Sequence, residues 1–580
     1  MATRIIDDSK LQNIAVAIQA KDSGGTMTVD EMPTRIANIT SGGGVEAQKV
    51  NFYDFKGNLA HSYTAAEAEA LTELPEAPTI EGFTFQKWNW SLASIKTWLT
   101  KHENDDCDLN VGGLYVTTDG RTRIYMHLRE AELANLEMPF CIHQMAGTVV
   151  INWGDNSQPE TITAAGIYSH TWQVNQYPAD VVIDIEYVPS GSTKLVLGRA
   201  SGSTPYGLFN NEPYYASCVE KVEYGNNNDF STYSGTFKNC KHLKTINIPF
   251  GFSTIGRNAF QNCTKLALTV LPDGITSIGG SAFSDCTNLA LTVLPDGVTN
   301  IGNYAFYNCT NLALMVLPDG ITSIVGNAFQ YCRNLALTVL PDGVTSIGNN
   351  AFDGCTNLAL TVLPDGVTNI GSNAFYNCTN LALTVLPDGV TSIGNNAFLG
   401  CTNLALTVLP DGVTSIGISA FQNCTNLALT VLPDGVTSIG NNAFNNCANL
   451  ALTVLPDGVT SIGSRAFSGC TNLALTILPD GITSIGDNAF QNCTNLALTV
   501  LPDGITSIGG NAFLGCTSLY IIDLTAFTNP LNIPTLQNSN AFSGIPALAE
   551  FWFSSQEVLD AFTTATNWST YASKFTIEGA

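Results

Sequence analysis

The sequence predicts a mainly β protein whose larger part is a repeat solenoid, and three observations lead to that prediction. Thirteen cysteines, from Cys240 to Cys516, stand 23 residues apart without interruption. A phenylalanine precedes each of them by three residues. Every unit also carries an apolar run and most carry a Pro-Asp-Gly turn, and a unit this short cannot bury its apolar residues alone. Stacked units bury them together, so the period predicts about 12 coils around a shared core.

Stacking places equivalent side chains above one another, which predicts structural columns inside the solenoid. The apolar run from Leu289 to Leu294 is predicted to be a strand, and Pro295 ends it because proline cannot donate to a ladder. The columns are predicted to include Phe260, Phe283 and Phe306, and Cys263, Cys286 and Cys309.

The unit C-T-N-L-A-L-T-V-L-P-D-G-V-T-S-I-G-x-x-A-F-x-x resembles the BspA-like leucine-rich repeat of bacterial surface proteins. That family repeats C-x-x-L-x-x-I-x-I-P-x-x-V-x-x-I-G-x-x-A-F-x-x, and the resemblance implies a leucine-rich-repeat solenoid over residues 215–524. The central units depart from the pattern, because Thr292 stands where the family has an inward isoleucine. Either this threonine points inward, or the strand is shifted or bulged.

Two of the columns, the cysteines and the aspartates, could have a chemical role instead of a structural one. The cysteines could pair or bind metal, but single thiols about 5 Å apart do not converge on one ion. We therefore expect buried, free thiols and no metal or other cofactor. Eleven aspartates, from Asp273 to Asp503, recur in the Pro-Asp-Gly turns and could form a cation ladder. Turn residues that bond their own backbone are the simpler interpretation.

Smaller modules are predicted before the repeats. Residues 1–41 form a helical segment, and the run I-A-V-A-I-Q-A-K-D-S-G-G-T-M-T-V-D-E-M-P resembles an N-terminal segment of tail and baseplate-associated proteins of phages that infect Gram-positive bacteria. That resemblance implies attachment to a virus particle. Residues 48–104 form a small α+β module, in which Trp88 and Trp90 either close a core or stack on sugar.

Residues 107–200 are predicted to form an immunoglobulin-like β-sandwich, because short strands alternate with turns. The run V-V-I-N-W-G-D-N-S, followed by His170-Thr171-Trp172, resembles the PKD-like module. That resemblance implies structural roles for Asp155, which caps a turn, and His170, which bonds nearby, rather than catalysis. Residues 525–580 form a C-terminal cap, because an open solenoid end exposes strand edges.

Composition restricts the partners. The formal net charge of −25 repels nucleic acid and anionic membranes. The sequence contains no run of 18 apolar residues, so it predicts no membrane span. The N-terminus lacks the apolar stretch of a secretory signal. The six histidines form no recognisable catalytic or metal-binding spacing, so we expect no enzyme activity and no catalytic residues.

Positions that vary between units predict a binding surface. The two residues before Ala-Phe and the two after it change from unit to unit, which indicates exposure. Tyr304, Tyr307, Tyr331 and Tyr376 stand there beside asparagines, a composition suited to glycan contacts. Unselected surface variation would look the same, and the strand face of the solenoid is a competing binding surface.

Three functional hypotheses follow. The first is a tail-associated virion protein, made in the host cytoplasm, whose solenoid contacts a host surface glycan or protein or a neighbouring virion protein. The second is a BspA-like adhesin on a bacterial surface or outside the cell. The third is an accessory part of a glycan-degrading system. A homo-oligomer is compatible with each of them.

Overall fold

A computed structural model describes two compact units, which contain residues 48–101, 108–129, 137–172, 174, 178–190, 195–197, 199–201, 204–206, 208–209, 213–225 and 235–579. The predicted segment at residues 1–41 lies outside the described residues. No helix in these ranges is long and apolar enough to cross a membrane.

The first unit contains the described residues 48–51, 61–74, 92–101 and 108–109. Its helices are α1 (Ala65–Ala70) and α2 (Leu92–Lys101). Helix α1 begins with a capping box, in which the Thr64 hydroxyl accepts from the Glu67 backbone N–H and the Glu67 carboxylate accepts from the Thr64 N–H. The buried face of α2 includes Ile95 and Leu99.

A four-stranded sheet has the order β2-β1-β4-β3. The strands are β1 (Lys49–Tyr53), β2 (Leu59–Thr64), β3 (Phe83–Trp88) and β4 (Leu109–Thr117). Trp88 and Trp90 are both 4% exposed, and the Trp88 ring meets Phe52 and Phe85 edge-on. The two tryptophans therefore close a core and leave no ring face free for sugar.

Two further sheets follow, with orders β15-β14-β5-β10-β7-β8 and β11-β6-β9. They share one core, in which Phe140 of one sheet meets the buried Trp153, which directly follows a strand of the other sheet, at 5.4 Å between ring centroids. This arrangement fits the predicted β-sandwich. A short helix α3 (Pro213–Cys218) and a two-stranded hairpin, β12 with β13, accompany the sheets. The strands are β5 (Thr122–Leu128), β6 (Met138–Gln144), β7 (Gly147–Asn152), β8 (Glu160–Ile162), β9 (Gly166–His170), β10 (Ala179–Pro189), β11 (Val196–Leu197), β12 (Arg199–Ser201), β13 (Thr204–Tyr206), β14 (Val219–Glu223) and β15 (Thr245–Ile246).

The sandwich continues directly into the solenoid. Strand β14 pairs antiparallel with β5 of the sandwich and parallel with β15 of the first coil. The edge that a first coil would otherwise expose is therefore closed by the neighbouring sheet.

All but one of the coils between Thr254 and Ile508 contribute a two-residue strand, made of Ser, Asn or Thr followed by Ile, to a parallel ladder. In the remaining coil, Ile439 forms only single bridges to Ile416 and Ile462. The ladder is interrupted between Ile301 and Ile324, beside Val325. Valine stands there where the other coils have glycine, and a Cβ on the equivalent Gly302 would lie 2.4 Å from the Gly280 nitrogen. The strands are β16 (Thr254–Ile255), β17 (Ser277–Ile278), β18 (Asn300–Ile301), β19 (Ser323–Ile324), β20 (Ser346–Ile347), β21 (Asn369–Ile370), β22 (Ser392–Ile393), β23 (Ser415–Ile416), β24 (Ser461–Ile462), β25 (Ser484–Ile485) and β26 (Ser507–Ile508).

The predicted strand from Leu289 to Leu294 is wrong for the central coils. Leu406 and Leu409 are buried, whereas both residues between them, Thr407 and Val408, are exposed. Two successive outward side chains break the alternation that a strand needs, so the run bulges, as one of the two sequence alternatives required. One backbone bond per coil remains, such as that from the Ala290 N–H to the Leu268 carbonyl at 3.1 Å.

The predicted columns are confirmed. Phenylalanine rings stack face to face from Phe237 to Phe542, with centroids 4.9 to 5.6 Å apart. Cys263, Cys286 and Cys309 are fully buried free thiols. Each thiol donates to the carbonyl of a phenylalanine in the preceding coil, as Cys286 Sγ does to Phe260 O at 3.0 Å. Burial raises the pKa of thiols such as Cys401 and Cys516, and that of Cys516 reaches about 12.

Aromatic residues close the C-terminal end. Phe542 completes the ring stack, and Phe551 and Tyr571 meet it edge-on. The Tyr571 hydroxyl accepts from the Phe542 N–H at 2.9 Å, in place of the alanine carbonyl that a further coil would offer. The helix that begins at Gln556 ends at Thr564, and Trp568 lies in a 3-10 helix that follows it. The elements are β27 (Ile521–Asp523), β28 (Thr535–Leu536), β29 (Glu550–Phe553), α4 (Gln556–Thr564), the 3-10 helix (Trp568–Lys574) and β30 (Phe575–Ile577).

Candidate functional site: the tyrosine patch

The residues that vary between units lie on the side of the solenoid that contains the Ala-Phe pair of each coil. We call this side the Ala-Phe wall. Two positions on this wall, two residues before and two after each phenylalanine, have left-handed backbone with φ between 54° and 76°. Asparagine and glycine adopt that conformation most readily. They are therefore frequent here because the backbone of these two positions is left-handed. The sequence interpretation, which took these positions as freely varying, is wrong on this point.

Variation also fails to indicate exposure throughout this wall. Asp353 follows Phe352 directly, yet it is 7% exposed. Its carboxylate accepts from Gln330 Nε2 at 2.8 Å, and burial raises its pKa. Ser284 and Asn445, at the equivalent place in other coils, are buried as well. Residues at this position are therefore buried in several coils, although the position varies between units.

Three of the four predicted tyrosines come together. Tyr307 lies between Tyr304 and Tyr331, with ring centroids 5.9 Å from the first and 5.7 Å from the second. Tyr304 is 44% exposed and Tyr331 is 36% exposed. Partial burial is the largest cause that raises the pKa of Tyr307, and the neighbouring Tyr331 raises it further. We call these three residues the tyrosine patch.

Tyr376 does not join the patch. It occupies the same column as Tyr307, but it comes three coils later, and each coil adds about 5 Å. Its backbone carbonyl accepts from the Gly354 N–H at 2.7 Å, and its side chain is half-buried.

Two tyrosines of the patch have left-handed backbone, with φ of 60° at Tyr304 and 63° at Tyr331. A bulky residue in this conformation carries steric strain of about 1 kcal/mol or more. Most other coils place asparagine, glycine or serine at these two positions. The patch is therefore one of the places where the wall departs from this preference, and Arg465, with φ of 55°, is another.

The asparagines of this wall have a structural task. Asn308 Nδ2 donates to Asp285 Oδ1 at 3.0 Å, and Asn262 Nδ2 donates to Asn239 Oδ1 at 2.8 Å. Such side-chain bonds run from coil to coil, so the amides serve the solenoid itself. The prediction that they are available to hydroxyls of a ligand has little support in this geometry.

Asp155 and His170 take the structural roles predicted for them. Asp155 Oδ1 accepts from the Ser157 N–H at 3.1 Å and caps the turn, while Oδ2 lies 2.8 Å from His170 Nε2. The His170 ring stacks on Trp153 at 4.5 Å. Both side chains are at least nine-tenths buried.

Within the described ranges, no group of three His, Cys, Asp or Glu side chains converges to hold a metal ion. The aspartates of the Pro-Asp-Gly turns stay one to a coil, and from Asp342 to Asp503 they are exposed. Cation binding by this row remains the less favoured alternative to a simple turn role.

Sequence reasoning missed an exposed apolar column. One β-branched residue per coil, the second residue after Leu-Ala-Leu, is 45% to 51% exposed in six successive coils. The signal was present, because Thr and Val stand together where strand alternation would bury one of them. The column contains Val362, Val385, Val408, Val431, Val454 and Ile477.

Stacked 23-residue coils with leucine, phenylalanine and cysteine columns define a leucine-rich repeat protein. The chain belongs to the BspA-type leucine-rich repeat family, whose pattern matches residues 210–336, 322–451 and 437–560. No curated protein sequence matches the chain.

Solved structures with related repeats include a leucine-rich repeat protein from Bacteroides ovatus, 25% identical, with a TM-score of 0.45, covering 63% of this chain and 95% of that one. A leucine-rich cell surface protein from Faecalibacterium prausnitzii is 29% identical, with a TM-score of 0.34, covering 63% and 93%. The leucine-rich repeat protein of T. pallidum is 35% identical, with a TM-score of 0.24, covering 28% and 77%.

Proposed function

We propose that this protein is a non-enzymatic adhesin of a bacterial surface, and that the tyrosine patch contacts a cell-surface glycan or protein. The observation that carries the proposal is the cluster of three tyrosine rings from two neighbouring coils, two of them at strained backbone positions. Strain that a repeat could avoid by using asparagine supports a role outside folding.

The family membership supports a binding role at a bacterial surface, since BspA-type proteins are typically found there. It favours the second of the three sequence hypotheses over the first. The virion hypothesis rests on the resemblance of residues 1–41 to phage proteins, and mass spectrometry of purified particles tests it: absence from the particles would end it. The glycan-degrading hypothesis requires release of reducing sugar by the purified protein.

The test of the adhesin uses the full chain with Tyr304→Asn and Tyr331→Asn together, because asparagine suits the left-handed backbone of both positions. Fluorescently labelled protein is titrated onto bacterial cells, onto host cells and onto an array of surface glycans. We expect at least a tenfold loss of affinity, because aromatic residues dominate such contacts.

Tyr376→Asn is the matched control, since it removes a tyrosine from the same wall outside the patch. Its binding should equal that of the unaltered chain. Equal binding by the patch variant would overturn the role of the patch, and binding to none of the surfaces would overturn the adhesin itself.

A further inference from the structure

The exposed column of Val362, Val385, Val408, Val431, Val454 and Ile477 forms what we call the valine ridge. Its members repeat about every 5 Å. Exposed threonines precede most of them, and the aspartates of the Pro-Asp-Gly turns run beside it. A groove of about 530 Å³ lies between ridge and turns, lined by residues including Val431, Val454, Ile477, Asp434 and Asp457. Six aligned apolar side chains in successive coils exceed the scattered exposure usual on a surface.

The same column is covered in the first coils by another part of the second unit. Val293 is 5% exposed, in contrast with the 45% to 51% of the ridge. Gly112 of strand β4 lies so close to Val270 that a Cβ on the glycine would come within 2.2 Å of the valine methyl groups. Asn110 Nδ2 donates to the Thr292 hydroxyl at 2.7 Å. A strand with a small residue over valine and an amide over threonine therefore fits this column.

Strand β3 and the residues after it supply the remaining contacts. Lys87 Nζ lies 2.9 Å from Asp273 Oδ2, the first member of the aspartate row. The Asn89 side chain donates to the Leu271 carbonyl at 3.2 Å in a buried position. Threonine, valine and aspartate of the first coils are each met by a complementary group, and the open coils repeat those three residues.

We propose that the valine ridge binds an extended segment of a partner protein that carries the same chemistry. Such a segment places a glycine or another small residue over the valines, an amide near the threonines, and a lysine or arginine opposite the aspartates. The surface follows the contact described above after two coils in which Val316 and Val339 are half-buried, and it offers the partner the same chemistry in six further coils. This interaction is separate from the tyrosine patch.

A second copy of this chain is a poor occupant for electrostatic reasons. Two ridges placed face to face would bring two aspartate rows together, in a chain whose formal net charge is −25. Like charges across an interface oppose association, whereas a basic segment is attracted. The charge of the row therefore selects a partner of opposite sign.

The probe for this proposal is a synthetic cyclic peptide that copies the covering strands. Residues 84–91 and 110–116 are joined at both ends by Asn-Gly turns, which close antiparallel strands such as β3 and β4. The peptide carries a fluorophore, and its anisotropy is measured against increasing concentrations of the full chain. We expect saturable binding that weakens at least tenfold in a peptide with Lys87→Glu, and that weakens with added salt.

Two variants of the full chain locate the binding. Val431→Glu places a charge on the ridge and should weaken peptide binding at least tenfold. Ile418→Glu is the matched control, because Ile418 is 49% exposed on the opposite, Ala-Phe wall, and it should bind as the unaltered chain does. Both substitutions are at exposed sites, so folding should tolerate them equally, and circular dichroism checks this.

Three outcomes would overturn the proposal. No binding of the peptide is one, and equal binding by both variants is another, since the peptide would then be bound elsewhere. The third is sedimentation of the full chain as a dimer that Val431→Glu disrupts and Ile418→Glu does not, which would assign the ridge to a second copy. Loss of the tyrosine patch should leave peptide binding unchanged, so failure of the adhesin proposal stays distinguishable.

Discussion

Residues in the interior coils and at the two ends of the solenoid all need stacking and hydrogen-bonding partners, but different residues supply these partners. In the interior, a copy of each residue in the next coil supplies its partner: Phe398 stacks on Phe375 and Phe421 at 5.4 Å. At the ends no copy exists. Strand β14 supplies the pairing at one end, and the Tyr571 hydroxyl supplies it at the other.

This difference shows where sequence repetition is sufficient and where it is not. A repeat satisfies its own backbone and packs its own core for as long as it continues. Each end needs residues that occur once in the chain. Interior substitutions should therefore act through stacked columns, whereas substitutions at an end should act locally.

Alkaline pH should have the largest effect, because it acts on several thiols of the cysteine column at once. Burial holds the pKa of thiols such as Cys401, Cys447 and Cys516 above the ordinary value of 9.0, so these folded thiols retain protons that the unfolded chain releases. Below about pH 9 these thiols should not change the free energy of unfolding. Above it, each thiol should cost about 1.4 kcal/mol per pH unit until its folded pKa is reached.

Urea unfolding at pH 8, 9.5 and 10.5 measures this loss. Ellman's reagent at pH 8 provides the control, because the column thiols should react in guanidinium and resist in the native chain. Ready reaction of the native column would contradict the burial on which the prediction depends.

Phe398→Ala should have the next largest effect. It removes a fully buried ring from the middle of the stack and leaves a cavity, which typically costs 3–5 kcal/mol. Denaturant unfolding measures the change. Val408→Ala, which trims an exposed residue of a neighbouring coil, should change stability by less than about 0.5 kcal/mol. Similar losses in the two variants would refute the stacked core.

Tyr571→Phe tests the C-terminal end. It keeps the ring but removes the oxygen that accepts from the Phe542 N–H, and a buried unsatisfied group costs about 1–3 kcal/mol. Hydrogen exchange should accelerate at Phe542 and its surroundings, while central coils keep their protection. Tyr520→Phe, at a 57% exposed residue, is the control. Uniformly faster exchange would show that the end is not a local structure.

Tyr304→Asn should have the smallest effect and the opposite sign. Asparagine tolerates φ of 60° better than tyrosine, so the chain should gain up to about 1 kcal/mol. Tyr307→Asn should bring no such gain, because Tyr307 is not among the left-handed positions. Differential scanning calorimetry compares the two, and a lower melting temperature for Tyr304→Asn would show that its ring stabilises the fold.

The columns were predictable from sequence, because a period of 23 residues leaves few other ways to bury Phe and Cys. The strand position was not. Apolar letters alone suggested the Leu-Ala-Leu run, whereas the ladder forms at Ser-Ile, such as Ser392–Ile393, where successive backbones approach closely enough to pair.

The tyrosine patch was predicted in part. Sequence spacing gave Tyr304, Tyr307 and Tyr331 a common wall, but it also admitted Tyr376, since a pattern of letters does not show how many coils separate two positions of one column. The sequence did not show that the positions two residues before and after each phenylalanine have left-handed backbone. Their changes of residue were taken for free variation. The cover of Val270 by Gly112 joins residues far apart in the chain, and no local pattern reports such a contact.

Each coil presents to the next coil the same surface that the previous coil presents to it. Whole coils can therefore be exchanged for one another. Removing residues 378–400 would delete one turn and rejoin two matching surfaces, with both ends untouched. Length can therefore change in steps of 23 residues without any new interface having to be invented. A gene that gains or loses units by unequal recombination would adjust how many sites the valine ridge displays, and so its avidity for a repeating target.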